Sequence, residues 1–176
     1  MTAGVLAEIE RLAKQVEADM VELRGDLHAH PELGRSEVRT TRTVAARLRR
    51  AGLQPRLLPT TGLVCDIPAR AGAAEPGRTP ELIALRADID ALPVRDEKAV
   101  PYRSQVPGVC HACGHDVHTA SVMGAGLVLA ELSRQGVLTR DVRLVFQPAE
   151  EIMPGGAHDV IDAHGLDGVD RIFALH

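Results

Sequence analysis

The densest group of metal-binding side chains lies at residues 113–118, which read Cys-Gly-His-Asp-Val-His. A thiol, two imidazoles and a carboxylate within six residues exceed what packing alone requires, and each type is a common metal ligand. Cys113 and His115 are two positions apart, so an extended loop would direct both side chains to the same side. This spacing predicts that Cys113 and His115 bind one metal ion.

Three other groups of ligand-type or acid–base side chains each follow a short apolar run that is typical of a strand. In chain order these groups are Asp88 with Asp90, Glu150 with Glu151, and His176. Two adjacent carboxylates can divide a reaction, one binding a metal ion and the other holding a proton, when their surroundings separate their pKa values. Each group alone is also compatible with solvated surface, so its meaning depends on the fold.

The first half of the chain is predicted to contain two helices and a β-hairpin. Apolar residues at steps of three and four predict an amphipathic helix over about residues 4–27. Ser36 is the predicted N-cap of a second helix, which Gly52 ends. The remaining predictions are strands at residues 53–58 and 63–67 and a Gly- and Pro-rich surface loop at residues 71–80.

From residue 82 onward the predicted order is strand, helix, strand, helix, strand. The strands cover residues 82–85, 142–147 and 171–176, and the helices cover about 116–135 and 155–164. This alternation predicts an α/β domain with a mostly parallel sheet flanked by helices. Ligands of such sheets bind beyond the carboxyl ends of the strands. The four candidate groups are therefore expected to meet at one edge of the sheet.

Composition narrows the classes of function. The net charge is −4, and the chain has no Trp, one Tyr and two Phe. Neither phosphate-backbone recognition nor base stacking is therefore expected, which argues against a nucleic-acid partner. Three cysteines do not predict a disulfide framework. The sequence predicts neither a secretory signal nor a membrane span of about 20 apolar residues, so a cytoplasmic location is expected.

The cysteines leave a second interpretation open. Cys110 and Cys113 form a Cys-x-x-Cys pair, which also occurs in redox sites and structural zinc sites. A redox pair is expected between a strand and a helix, and a zinc ribbon needs a second such pair, so both fit less well than a site built on Cys113 and His115. Cys65 is expected to be a buried apolar side chain. Solvent exposure or a supporting role is expected for His28, His30, His158 and His164.

Five motifs occur in a fixed order along the chain. They are HAHPELG at residues 28–34, RADIDALP at 86–93, HACGHDVH at 111–118, QPAEE at 147–151 and FALH at 173–176. Together they resemble the amidohydrolase branch of the dinuclear zinc-peptidase superfamily, which includes hippurate hydrolases, N-acyl-amino-acid amidohydrolases, auxin-conjugate hydrolases and N-acetyl-diaminopimelate deacetylases. The resemblance covers essentially the whole chain. It implies the zinc-peptidase (phosphorylase/hydrolase-like) catalytic fold, and it is specific for the family but not for a substrate.

The resemblance implies a ligand set and cofactors. Cys113 would bridge two divalent ions, which would be Zn, Mn, Co or Ni in the full-length protein, with a single ion as the alternative for this chain alone. The further ligands would be His115, Glu151 and His176.

The resemblance also implies a reaction, the hydrolysis of the amide bond of a small N-acyl amino acid. Glu150 would be the general base, taking a proton from the attacking water and returning it to the leaving amine. The residues implied to orient or tune the ligands are Asp88, Asp90, Asp116 and His118.

The chain also departs from the family pattern. Members of the family carry a dimerising lid domain and a late histidine ligand beyond the segment that matches residues 1–176, so we expect this chain to be the N-terminal part of the catalytic domain and the full-length protein to be a homodimer. Cys110 stands where Met is more usual, which places another thiol near the site. The expectations are a weakly active or inactive isolated chain and an uncovered sheet edge. The alternative is a non-catalytic fragment that binds metal or complements a partner.

Overall fold

The computed structural model describes residues 3–69 and 81–175. In chain order its elements are α1 (Ala3–Ala29), α2 (Val38–Arg50), β1 (Arg56–Leu57), β2 (Leu63–Ile67), β3 (Leu82–Asp88), α3 (His115–Arg134), β4 (Asp141–Gln147), α4 (Ala157–Asp162) and β5 (Val169–Ala174). Every helix and strand predicted above is found. β1 and α4 are shorter than expected, β3 is longer, and β5 begins and ends two residues earlier than expected. The predicted surface loop at residues 71–80 and the candidate ligand His176 lie outside the described residues.

The start of α2 differs from the prediction. Glu37, and not Ser36, occupies the N-cap position, and its side chain makes no capping hydrogen bond. Instead, the Glu32 carboxylate accepts the backbone N–H groups of Arg39 at 2.9 Å and Thr40 at 2.7 Å. A carboxylate from the preceding loop thus satisfies two free amides and complements the positive end of the helix dipole, which leaves Ser36 without a capping role.

The five strands form one mixed sheet in the order β1-β2-β4-β3-β5. β3 pairs in parallel with β4 and β5, as predicted from the strand–helix–strand order after residue 82. β2 pairs antiparallel with both β1 and β4. The α/β class is confirmed, and the first two strands make the sheet mixed rather than mostly parallel, because a hairpin needs no helical crossover.

Helices cover both faces of the sheet. Alternate residues of β2 divide between the two sides, so that Leu63, Cys65 and Ile67 pack with α1, α2 and α3. Val64 points the other way and packs with Val160 of α4. This is the two-residue period of a strand buried on both faces. The burial of Cys65 agrees with its predicted apolar role.

β5 forms one edge of the described sheet. It pairs only with β3 among the described strands. The side chains of Ile172 and Phe173 are 50% and 57% exposed. This exposure agrees with the expected uncovered edge. No helix within residues 3–69 and 81–175 is long and apolar enough to cross a membrane.

Candidate metal centre

The carboxyl ends of β3 and β4 bring the predicted groups together. β3 ends at Asp88, β4 ends at Gln147 just before the two glutamates, and the parallel pairing places both ends at the same edge of the sheet. Ligand atoms of Cys113, His115 and Glu151 lie within 4.8 Å of one another. Three of the four predicted ligands therefore converge, and the fourth, His176, is not described.

The route by which Cys113 and His115 converge differs from the prediction. The two residues do not lie on an extended loop, because Gly114 is the N-cap of α3 and His115 is its first residue. Gly114 adopts a left-handed conformation with φ of 86°, which residues with a Cβ rarely adopt. The sharp turn at Gly114, and not the alternation of an extended chain, brings both side chains to one side.

The tautomer of His115 follows from its hydrogen bond. Its Nδ1 lies 2.9 Å from the backbone carbonyl oxygen of Asp90, so Nδ1 carries the proton and Nε2 offers a lone pair. His115 Nε2 lies 3.6 Å from a Glu151 oxygen, 3.6 Å from an Asp88 oxygen and 3.9 Å from a Glu150 oxygen. A ring nitrogen surrounded by three carboxylates is a setting that favours a cation.

Charge around the site supports this interpretation. Burial of the His115 ring lowers its pKa, but the hydrogen bond to Asp90 and the charges of Asp88 and Asp90 outweigh burial, so the pKa lies above its ordinary value. A hydrogen bond with Glu151, followed by partial burial and the charges of Glu151, Glu150 and Asp88, raises the pKa of the Cys113 thiol to about 11. The electrostatic potential at the site is therefore negative, and a bound cation would offset the repulsion between the thiolate and the carboxylates.

Asp90 ties two of the converging segments together. Its carbonyl oxygen orients His115, while its Oδ2 accepts the backbone N–H of Glu151 at 3.0 Å. Burial raises the pKa of Asp90, but hydrogen bonds from His115 and from the backbone amides of Glu150 and Glu151 lower it by more than burial raises it. The pKa of Asp90 therefore lies below its ordinary value. Asp90 is therefore an ionised anchor for both His115 and Glu151.

Asp88 has different partners. Its Oδ1 accepts a hydrogen bond from His118 Nδ1 at 2.7 Å, and its Oδ2 accepts one from the Arg86 guanidinium at 2.7 Å. Asp88, His115 and His118 form a second group with closely spaced ligand atoms. Because the Arg86 guanidinium already forms an ion pair with the Asp88 carboxylate, this second group suits a cation less well than the Cys113 group does.

Asp116 lies beneath the site in a buried network. It is fully buried, and its Oδ2 accepts a hydrogen bond from His28 Nδ1 at 2.6 Å. The Arg24 Nε lies 2.9 Å from the same oxygen, without the alignment of a hydrogen bond. The other ring nitrogen of His28 lies 3.3 Å from an Asp96 oxygen. His28 is thus a buried supporting residue and not a solvated one. Of the other histidines, His158 and His164 are exposed to solvent.

Cys110 does not join the converging ligands. It is buried, its backbone pairs with that of Leu92, and neither group of closely spaced ligand atoms found among the described residues includes it. Cys110 and Cys113 are both free thiols, one buried and one exposed. Because Cys113 converges with His115 and Glu151 while Cys110 does not, the described residues give no support to a structural zinc site that uses both cysteines.

Sequence reasoning gave no role to Glu37, Arg24 or Asp96, and none to His111 beyond its place in a motif. His111 is buried, finds no hydrogen-bond partner among the described residues, and has its pKa lowered to about 4, mainly by burial. Glu37 is completely buried. No spacing rule could have found Glu37, because the partners of its side chain, Thr61 and Ala149, lie 24 and 112 positions away in the sequence. Asp96 pairs locally with Lys98, and only its contact with His28 is distant in the sequence.

Comparison with known proteins agrees with the geometry. Residues 84–176 match the peptidase family M20/M25/M40. The Bacillus subtilis YXEP protein, described as a dinuclear metal-binding peptidase of the M20 family, superposes with a TM-score of 0.82 at 40% identity. That superposition covers 93% of this chain and 44% of the other.

Two relatives show how much of a longer protein the match represents. An N-acyl-L-amino acid amidohydrolase of Geobacillus stearothermophilus is 39% identical over 96% of this chain and 44% of that protein. A putative glutamate–cysteine ligase 2-3 of Rhodococcus jostii is 55% identical over 91% of this chain but only 19% of that protein. The chain spans less than half the length of the relatives that it matches. It belongs to the peptidase family M20/M25/M40.

Proposed function

We propose that the full-length protein containing these residues is a metal-dependent hydrolase of N-acyl amino acids. The observation that carries this proposal is the convergence of Cys113, His115 and Glu151, with a second carboxylate, Glu150, beside them. The amidohydrolase name of the Geobacillus relative supports the choice of an N-acyl amino acid as substrate. Hippurate and N-acetyl amino acids are suitable first substrates.

The residues present fit a divalent cation. A thiolate, an imidazole nitrogen and a carboxylate form a mixed sulfur, nitrogen and oxygen set that suits Zn²⁺ and its neighbours. Cys113, His115 and Glu151 would hold the ion, and His176 is proposed as a further ligand. When bound, such an ion lowers the pKa of water and polarises a carbonyl group. The dinuclear description of the YXEP protein supports two ions in the full-length protein.

Glu150 is assigned the proton transfers. Its carboxylate lies 3.9 Å from His115 Nε2, yet its side chain is 29% exposed, so water and substrate can reach it. Glu151 is held by its backbone hydrogen bond to Asp90 and lies nearer to the Cys113 sulfur. This difference in position supports a division of roles in which Glu151 binds the ion and Glu150 moves a proton from water to the leaving amine.

Two variants of the full-length protein test the division of roles. Glu150→Gln should keep the bound metal, measured by elemental analysis, and should lower kcat for N-acetyl amino acids by about 10²–10⁴-fold. Glu151→Gln should lose metal as well as activity. The proposal fails if Glu150→Gln hydrolyses at the wild-type rate, or if exhaustive chelation of the wild-type protein leaves hydrolysis unchanged.

We also propose that the 176-residue chain alone has little activity, since it spans less than half of its relatives. Hydrolysis of hippurate or N-acetyl amino acids by the purified chain with added Mn²⁺ or Zn²⁺ tests this claim. Turnover at an ordinary enzymatic rate would contradict it. Metal binding without any turnover, even in the full-length protein, would favour a non-catalytic metal-binding role.

A further inference from the structure

We propose that Glu37 is a positioning residue that holds the turn at residues 148–151, and thereby sets the places of Glu150 and Glu151. The inference rests on the function proposed above for those two glutamates. It assigns a role to a residue that lies more than 100 positions away in the sequence, on the helix α2 side of the sheet.

The contact between Glu37 and the turn is short and completely buried. Glu37 Oε1 accepts the backbone N–H of Ala149 at 2.6 Å, and Glu37 Oε2 accepts the Thr61 hydroxyl at 2.6 Å. Glu37 itself has no exposed surface. Both carboxylate oxygens are therefore used, one of them on the residue directly before Glu150.

The turn needs such support because its backbone is unfavourable. Ala149 has φ of +49°, a left-handed conformation that residues other than glycine rarely adopt. Its carbonyl oxygen accepts the N–H of Gly156 at 2.9 Å. A Cβ at position 156 would lie 1.9 Å from the Pro148 carbonyl oxygen, which shows how closely the following loop packs on the turn. Surrounding contacts, and not local preference, fix the backbone that presents both glutamates.

Two buried carboxylates hold the turn on either side of Glu150. Glu37 binds the N–H of Ala149, and Asp90 binds the N–H of Glu151 at 3.0 Å. Glu37 is available for this contact because it does not cap its own helix, a task that Glu32 performs. A helix cap therefore does not explain why a carboxylate is buried at position 37.

Cobalt binding by the 176-residue chain tests the inference, because absorption from thiolate-to-cobalt charge transfer reports directly on Cys113. Glu37→Leu removes the acceptor for the Ala149 amide and should weaken the Co²⁺ affinity by about 10-fold or more and alter the d–d spectrum. Glu37→Gln keeps an acceptor oxygen and should retain the wild-type affinity and spectrum.

Ser133→Ala is the matched control. It removes an equally short hydrogen bond, 2.6 Å from the Ser133 hydroxyl to the Pro68 carbonyl, at the opposite end of α3 from the site. It should lower the melting temperature while leaving Co²⁺ affinity unchanged. If Glu37→Leu does not fold, Glu37→Asp replaces it, since the shorter side chain keeps the charge but draws the oxygens back from Ala149.

The outcomes separate the two proposals. Wild-type affinity and spectrum in Glu37→Leu (or in Glu37→Asp, where that variant replaces it), or an equal loss in Ser133→Ala, would overturn the positioning role while leaving the metal site intact. A wild-type chain that shows no thiolate-to-cobalt band would instead overturn the proposed metal site, and the positioning role with it.

Discussion

Replacing Asp116 tests the buried network beneath the metal centre, because its removal should lower the free energy of unfolding of the chain. Asp116 is fully buried at the first turn of α3, where its Oδ2 meets His28 at 2.6 Å and Arg24 at 2.9 Å. Asp116→Ala would leave both partners facing a cavity without their shared acceptor.

The expected loss follows from the burial of each partner. Removing one member of a buried ion pair costs about 3–5 kcal/mol. The Arg24 side chain is 29% exposed and not aligned as a hydrogen-bond donor, so water compensates part of its loss. The lower end, about 3 kcal/mol, is therefore expected for Asp116→Ala, and about half of that for Asp116→Asn, which keeps an acceptor for His28. For a chain of this size, about 3 kcal/mol lowers the melting temperature by about 10 °C.

Urea unfolding of the metal-free chain, followed by circular dichroism, measures this loss without interference from bound ions. Asp167→Asn is the control, because the Asp167–His164 pair has a similar distance of 2.9 Å but is largely exposed, and such pairs contribute little. A loss below about 1 kcal/mol for Asp116→Ala, or a loss equal to that of the control, would refute the assignment of a buried network.

Three further predictions concern the turn and the metal centre. Gly156→Ala should destabilise the chain by about 3 kcal/mol in urea unfolding, because the new Cβ meets the backbone oxygen of Pro148 and not a movable side chain; an unchanged midpoint would contradict this packing. Burial raises the pKa of Glu37 above 4.5, although hydrogen bonds from Thr61 and Ala149 oppose the shift. The folded state therefore keeps this proton longer than the unfolded state as pH rises above about 4.5, and stability falls through that window. The Glu37→Gln variant has no ionisable group at this position and lacks this pH dependence. Its melting temperature relative to that of the wild type should therefore rise between pH 4 and pH 7 in parallel thermal melts. A difference that stays constant with pH would refute the raised pKa. Finally, Co²⁺ or Zn²⁺ at about 100 times its dissociation constant should stabilise the chain by about 2.7 kcal/mol, and Cys113→Ser should reduce this gain in a thermal-shift assay; an equal gain in the variant would exclude Cys113 as a ligand.

Much of the site could be predicted because its ligand types cluster at the ends of strands. The strand–helix–strand order after residue 82 dictates parallel pairing, and parallel pairing places Asp88 and Glu150 at one edge. The hairpin prediction gave the antiparallel pairing of β2 with β1 but not that of β2 with β4, because a hairpin strand can join the rest of a sheet in either direction. The cap of α2 was also missed, since Ser36 satisfies the local rule while the Glu32 carboxylate performs the task.

The sequence by itself determined the α/β class and the residue types that could bind a metal ion, because periodicity, the order of elements and side-chain type can be read along the chain. The family followed from the resemblance of five ordered motifs. Only the tertiary structure decided how those residues are held. The acceptor for His115 is a backbone carbonyl, the acceptor for Ala149 is a buried Glu37, and the partners of Asp116 come from another helix. Such contacts join segments up to 112 positions apart, and their directions depend on backbone angles, such as those of Gly114 and Ala149, that local sequence preference does not specify.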